Sequence, residues 1–244
     1  MITIRAFRAI DDLDACHKFA VGHRHVLENI GVKQVTSSKI EWMYNPAAFV
    51  IIVEDTERTK VYGGARVEVA GGTTRLPIEE ATGYLDAKIH SVVKEHAMDG
   101  TGEICGLWNS REVAGMGIGS VFLTRACVTI STQIKLKTLF ALCAPYTIAM
   151  AENVGYHMLK TVGNNGTFYY PKLDLIATAM ILEDVDTLSK GNSEEVGSIM
   201  SLREKPVQKR IETLRNKELE IHYNLEIPNI NKWYDSGIIQ NLNK

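Results

Sequence analysis

The sequence predicts a mixed α/β fold, and three observations carry that expectation. Segments with strand alternation and segments with helical spacing follow one another along most of the chain. Two strands are joined by a short charged turn, and a glycine run stands between a strand and a helix, as in a βαβ crossover. "ITIRAF" alternates as a short strand, and Asp11 or Asp12 is placed to cap a helix whose repeating positions are Leu13, Cys16, Ala20, His23 and Leu27, ended by Gly31. A second short helix is expected from the serines of "TSSKIEWMY" to the stop at Pro46. "AFVIIVE" and "VYGGARVEVA", joined by "DTERTK", form a hairpin. After Gly71 and Gly72, Leu85, Ile89, Val92 and Val93 mark an inserted helix. "GEICGLWNS" returns to strand, and the glycine run then opens a helix reaching to about Ile130. "LKTLFALCA" is the next strand, Pro145 starts a short helix, and "YHMLKTV" and "LDLIATAMIL" are two further strands. From Asp184 the composition turns polar, "VQKRIETLRNKELE" reads as helix-like, and a tail carries Pro228 and Trp233. Residues 184–244 are therefore expected to be an extension packing on a domain of residues 1–183, with too few apolar residues for a core of their own.

With 244 residues, 45% of them hydrophobic, the chain is long enough to bury a full core. A net charge of −2 with 23% charged residues lacks the basic excess of a nucleic-acid binder, so no nucleic-acid partner is expected. No segment approaches the ~18 apolar residues of a membrane span, and "MITIRAFRAIDDLDA" has no hydrophobic signal core; a cytoplasmic protein with no membrane partner is expected. Cys16, Cys105, Cys127 and Cys143 lack metal-ligand spacing and read as reduced core thiols. The histidine cluster His23 to His25 reads as solvated, and no metal is expected.

The glycine run "AGMGIGSVFL" fits an anion cradle and a tightly packed loop equally well when read alone. Uncovered N–H groups at Gly115, Gly117 and Gly119, opening a helix, suit a phosphate group. A Walker A loop is excluded because no lysine follows Gly119. A dinucleotide fingerprint fits poorly because the loop lies mid-chain and "LKTLFALCA" carries no acidic residue.

"AGMGIGSVFL" resembles the pyrophosphate loop of the GCN5-related N-acetyltransferase (GNAT) superfamily, and "ENVGY", Glu152 to Tyr156, resembles the ending of that family's next helix. The resemblance covers roughly Thr3 to Leu182. It implies a twisted, mostly antiparallel sheet of about seven strands flanked by helices, and an N-acyltransferase that moves an acetyl or longer acyl group from coenzyme A to an amine by direct attack. It implies backbone contacts from Gly115, Met116, Gly117, Ile118, Gly119 and Ser120 to the pyrophosphate, and from Leu107, Trp108 and Asn109 to the pantetheine. Two positions depart from the pattern. The loop's first residue, Arg or Gln in the family, is Ala114, and the tyrosine that serves as general acid in many members falls at Ala151. These gaps leave open an acyl-CoA sensor without turnover. Acyl-homoserine-lactone and N-acyl amino acid synthases, similar in fold, are a further alternative.

Acyl transfer to an amine needs a base, an oxyanion donor and a proton for the thiolate. The resemblance points to Glu103 as base; Glu68 is the second candidate, with Arg66 on its own strand as an ion-pair partner. Tyr146 and Tyr156 flank the missing tyrosine and are the candidate acids. The insertion at residues 71–102 is expected to wall the acceptor pocket or to form a homodimer contact.

Overall fold

A computed structural model describes residues 2–29, 40–170, 174–214 and 216–241. The elements in chain order are β1 (Ile2–Arg8), α1 (Leu13–Asn29), β2 (Ala48–Asp55), β3 (Val61–Val69), α2 (Pro77–Thr82), α3 (Lys88–Ala97), β4 (Thr101–Asn109), α4 (Leu123–Ser131), β5 (Thr138–Cys143), α5 (Ile148–Asn153), β6 (His157–Met158), β7 (Thr167–Tyr170), β8 (Leu175–Leu182), α6 (Ser193–Glu204), β9 (Val207–Leu214), β10 (Lys217–Asn224), α7 (Ile230–Tyr234) and α8 (Ile238–Asn241). One sheet takes the strands in the order β6-β8-β5-β4-β3-β2-β1-β10-β9, with β7 also on β8. Among the described residues it has ten strands rather than about seven. β4 and β5 pair in parallel, as do β1 and β10; the remaining pairs are antiparallel.

Alternation along β3 and β4 divides the residues between the two faces. Ala65, Val67 and Ile104 join a core under α4 that includes Ile4, Phe49, Ile51 and Leu139. Phe7, Val50, Ile52 and Trp108 pack with Phe19 of α1 on the opposite face. All nine residues of α4 are buried, because α6 and the edge hairpin cover the side turned away from the sheet. Arg125 is the charged member of that helix. Its Nε and Nη2 donate to Glu195 at 2.7 and 3.0 Å, and its Nη1 donates to Glu212 of β9 at 2.7 Å.

Several sequence expectations are corrected. The inserted helix is two helices, α2 and α3. The short helix before Pro46 is a 3-10 turn over Glu41–Tyr44, its expected serine start lying outside the described residues, as does the end of α1 at Gly31. "VQKRIETLRNKELE" is the β9–β10 hairpin and not a helix, since its inward-facing side chains bond to α4 and α6 and β10 adds to the open edge of β1. His23 is buried against Phe19 and Trp108 rather than solvated. The four cysteines are free and buried, as expected. Among the described residues no helix is long and apolar enough to cross a membrane, and no His, Cys, Asp and Glu cluster has the make-up of a metal site.

Candidate active site

The parallel pairing of β4 and β5 runs only from Thr101↔Thr138 to Glu103↔Phe140, although β4 continues to Asn109 and β5 to Cys143. At the paired end Thr138 Oγ1 and Thr101 Oγ1 hydrogen-bond at 2.6 Å. Beyond Glu103 the strands part. A bulge helps to turn β4 away: Gly64 faces Trp108 and Arg66 faces Cys105, so Gly106 and Leu107 oppose Ala65 alone. Gly106 takes φ +60°, which favours glycine, and a Cβ there would press on the Arg66 guanidinium at 3.2 Å.

A cavity of about 300 Å³ occupies the gap. It passes through the sheet, because its walls come from both faces: Thr124, Met150 and Ala151 from α4 and α5, and His23, Leu27, Pro77 and Ala81 from α1 and α2. Glu103, Cys105, Ala141, Cys143 and Tyr156 also line it. Glu103 is 2% exposed and accepts the Ile78 N–H at 2.6 Å, so the inserted α2 fixes the carboxyl group. Burial raises its pKa well above the usual carboxyl range; the Ile78 bond opposes that rise and the neighbouring Glu68 adds to it. Tyr156 is buried, its hydroxyl has no partner among the described residues, and burial raises its pKa well above the tyrosine norm. Tyr146, by contrast, stands exposed at the cavity wall. His23 is held neutral, its pKa lowered to about 4 by burial and then by Arg66.

Burial favours the protonated thiol at both cysteines of the cavity. Burial raises Cys143 to about 11 and raises Cys105 well above its ordinary value. Glu68 is cross-strand from Glu103 and bonded to Arg66, with Nη2 to Oε1 at 2.9 Å. The guanidinium of Arg66 lies over the Trp42 ring, 4.5 Å from its centroid. Arg66, Glu68, Glu103 and Cys105 thus form one polar strip on the α1 and α2 face of the sheet.

The glycine run lies at the open end of β4. Gly117 has φ +79°, and it leads into a π-helical turn over Ile118–Phe122 that continues as α4. The N–H groups of Gly115 and Gly117 have no partner among the described residues, which suits an anion. Those of Met116 and Ser120 are engaged with Val113 O and Gly117 O. A Cβ at Gly119 would collide with the Asn109 carboxamide, and one at Gly117 would stand 2.6 Å from Leu214 of the hairpin. The bare backbone is therefore required by packing, and it leaves the Gly115 and Gly117 amides uncovered. Trp108 turns its ring into the α1 core, so only its backbone faces the open end of β4, whereas Leu107 lines the cavity.

The sequence reading names none of His23, Pro77 and Ile78 as site residues, and it takes His23 for a solvated one. Nothing in their local sequence marks them; they reach the site through the fold.

The sequence matches no protein-family model and no curated protein. Solved structures do resemble the fold. One is FeeM, an N-acyl amino acid synthase from uncultured soil microbes, with TM-score 0.57 and 15% identity over 78% of this chain and 95% of that one. Another is BjaI, a CoA-dependent acyl-homoserine lactone synthase solved with SAM and isopentyl-CoA, with TM-score 0.55 and 13% identity over 88% and 97%. TofI, in a ternary complex with an inhibitor and MTA, matches at TM-score 0.50 and 13% identity over 80% and 96%. The likeness is one of fold, and it is the GNAT-type fold that the glycine run and the element order imply.

Proposed function

We propose that this protein is an acyl-CoA N-acyltransferase, with the coenzyme A pyrophosphate on the amides of Gly115 and Gly117 and the thioester in the gap between β4 and β5. The observation that carries the reading is the cavity itself, which starts where strand pairing stops and holds a buried carboxyl group at that point. Thr124, Met150 and Ala151 wall the donor side; Pro77, Ala81 and Glu103 wall the acceptor side.

Glu103 takes the proton of the attacking amine. Burial raises its pKa, which makes the carboxylate a stronger base than an exposed one. The C–N bond forms at the thioester carbonyl as the C–S bond breaks with its electron pair on sulfur. Glu103 holds the proton that leaves a neutral amine until it is lost to solvent, and the departing thiolate takes up a proton from solvent. Tyr156 serves the departing sulfur as a hydrogen-bond donor, since a hydroxyl with so raised a pKa keeps its proton. A covalent cysteine step does not fit the raised thiols. The volume exceeds what an acetyl group fills, and Ala151, in place of a tyrosine, leaves room for a longer acyl chain.

Thermal shift with acetyl-CoA, octanoyl-CoA and free coenzyme A, followed by thiol release with a panel of amines, tests the reading. We expect stabilisation by all three and acceptor-dependent release with the acyl donors. No stabilisation at millimolar ligand overturns the reading; stabilisation without release supports a sensor.

A further inference from the structure

The cation that the glycine run lacks at Ala114 reaches it from the C-terminal hairpin. Lys217 opens β10, and its Nζ stands 3.9 Å from the point that a Cβ on Gly115 would occupy. Its cross-strand partner is Leu214, whose Cδ2 stands 2.6 Å from the corresponding point on Gly117. One strand pair thus meets alternate residues of the loop, with an apolar side chain on Gly117 and an ammonium on Gly115. Both glycines have N–H groups without a partner among the described residues. Two amide donors and a cation therefore adjoin within three residues, a set that suits a diphosphate.

The hairpin is held in this position from behind. Glu212, the inward-facing residue before Leu214, accepts from Arg125 Nη1 at 2.7 Å and from the Tyr223 hydroxyl at 2.9 Å. Lys217 shares the inward face of β10 with Leu219, Ile221 and Tyr223, so alternation turns Glu218 and Glu220 to the other face. The other charges near the loop are engaged or stand apart. Glu112 binds Lys60 at 2.7 Å, and Arg125 is taken by Glu195 and Glu212. Arg111, exposed in the 3-10 turn before the loop, is the rival cation. Lys217 has no ion-pair partner among the described residues.

We infer that Lys217 is a coenzyme A-binding residue whose ammonium pairs with the diphosphate on the glycine loop, in place of the side chain absent at Ala114. This rests on the acyl-transfer reading above and gives the C-terminal hairpin a share in the cosubstrate site. A lysine acts there as a point charge on a flexible stem, so the contact needs no forked geometry.

Calorimetric titration with coenzyme A and 3′-dephospho-coenzyme A tests the inference on the parent protein, Lys217→Ala, Lys217→Arg, Arg111→Ala and Lys209→Ala. Lys209 is the control, because it removes the same charge from an outward position of β9. We expect Lys217→Ala to weaken both ligands by the same factor, about tenfold, and Lys217→Arg to restore most of the loss. Lys209→Ala should bind as the parent does. The parent should also lose affinity with added salt more steeply than Lys217→Ala, which has one ion pair fewer to screen. Affinity within twofold of the parent in Lys217→Ala overturns the inference and leaves the acyl-transfer reading standing; a loss in Arg111→Ala alone then gives the diphosphate to the rival cation. A loss confined to coenzyme A assigns the lysine to the 3′-phosphate, and an equal loss in Lys209→Ala marks a general charge effect; each overturns the inference. Binding that depends on Lys217 without acceptor-dependent thiol release supports the inference and overturns acyl transfer, whereas no coenzyme A binding to the parent overturns both.

Discussion

Glu103 is a carboxyl group whose water has been replaced by one N–H donor from Ile78, and two opposite consequences follow. The folded chain holds this proton more tightly than the unfolded chain does, because burial raises the pKa. Between the ordinary carboxyl pKa and the raised one the folded state binds more protons, so stability falls as pH rises through that window. Glu103→Gln removes the ionisation. Denaturant unfolding should find the variant equal to the parent near about pH 4 and more stable than it at neutral and alkaline pH. If Glu103 is the base, acyl transfer by the variant should fall about 10²- to 10⁴-fold, measured as initial thiol release, and a full rate would remove Glu103 from that role. Sequence reading located this residue but not its burial, since solvent exclusion depends on α2, which lies some 25 residues earlier in the chain. The Arg66–Glu68 pair was legible for a simpler reason: residues two apart on a strand share a face.

At the scale of elements, the glycine loop and the edge hairpin are one device. Leu214 rests against Gly117, and Arg125, behind the loop on α4, is tied to the hairpin through Glu212. Gly117→Ala is expected to cost about 1–2 kcal/mol for a side chain at positive φ, with a further contribution from displacing Leu214. The fold should survive by circular dichroism while coenzyme A affinity drops more than tenfold by calorimetry; unchanged affinity would mean that the glycines serve packing alone. The strands, the glycine run and α4 were readable because their apolar residues obey one period each. β9 was misread as helical because Val207, Ile211 and Leu214 are spaced at steps of four and three. In the fold the inward positions are Gln208, Arg210, Glu212 and Leu214, three of them polar because they meet carbonyls, a hydroxyl and Arg125 on α4 and α6. Alternation that points polar groups inward inverts the usual signal. The next strand shows the ordinary pattern, with Leu219, Ile221, Tyr223 and Leu225 on alternate positions.

Across the whole molecule, the segment after residue 204 completes the sheet and the core beneath it. β10 gives β1 its second neighbour, from Ile2↔Ile221 to Arg5↔Asn224, so that the edge falls on the charged β9. Ile221, Tyr223, Leu225 and Ile227 are buried in the same core as Ile4 and Phe49, and Trp233 packs edge-on against Phe49 at 5.1 Å while its Nε1 donates to Ile134 O. Burial of five such side chains stabilises the fold by roughly 10 kcal/mol, which is of the order of a domain's entire net stability. Polar composition concealed this, because the apolar residues of the segment are few and nearly all of them face one way. Removal of residues 205–244 should therefore give a chain that lacks a cooperative unfolding transition and aggregates through the uncovered edge of β1, as measured by calorimetry and light scattering. A truncated protein that melts cooperatively within a few degrees of the parent would show that residues 1–204 hold a self-sufficient core, and that the hairpin only shields the glycine loop.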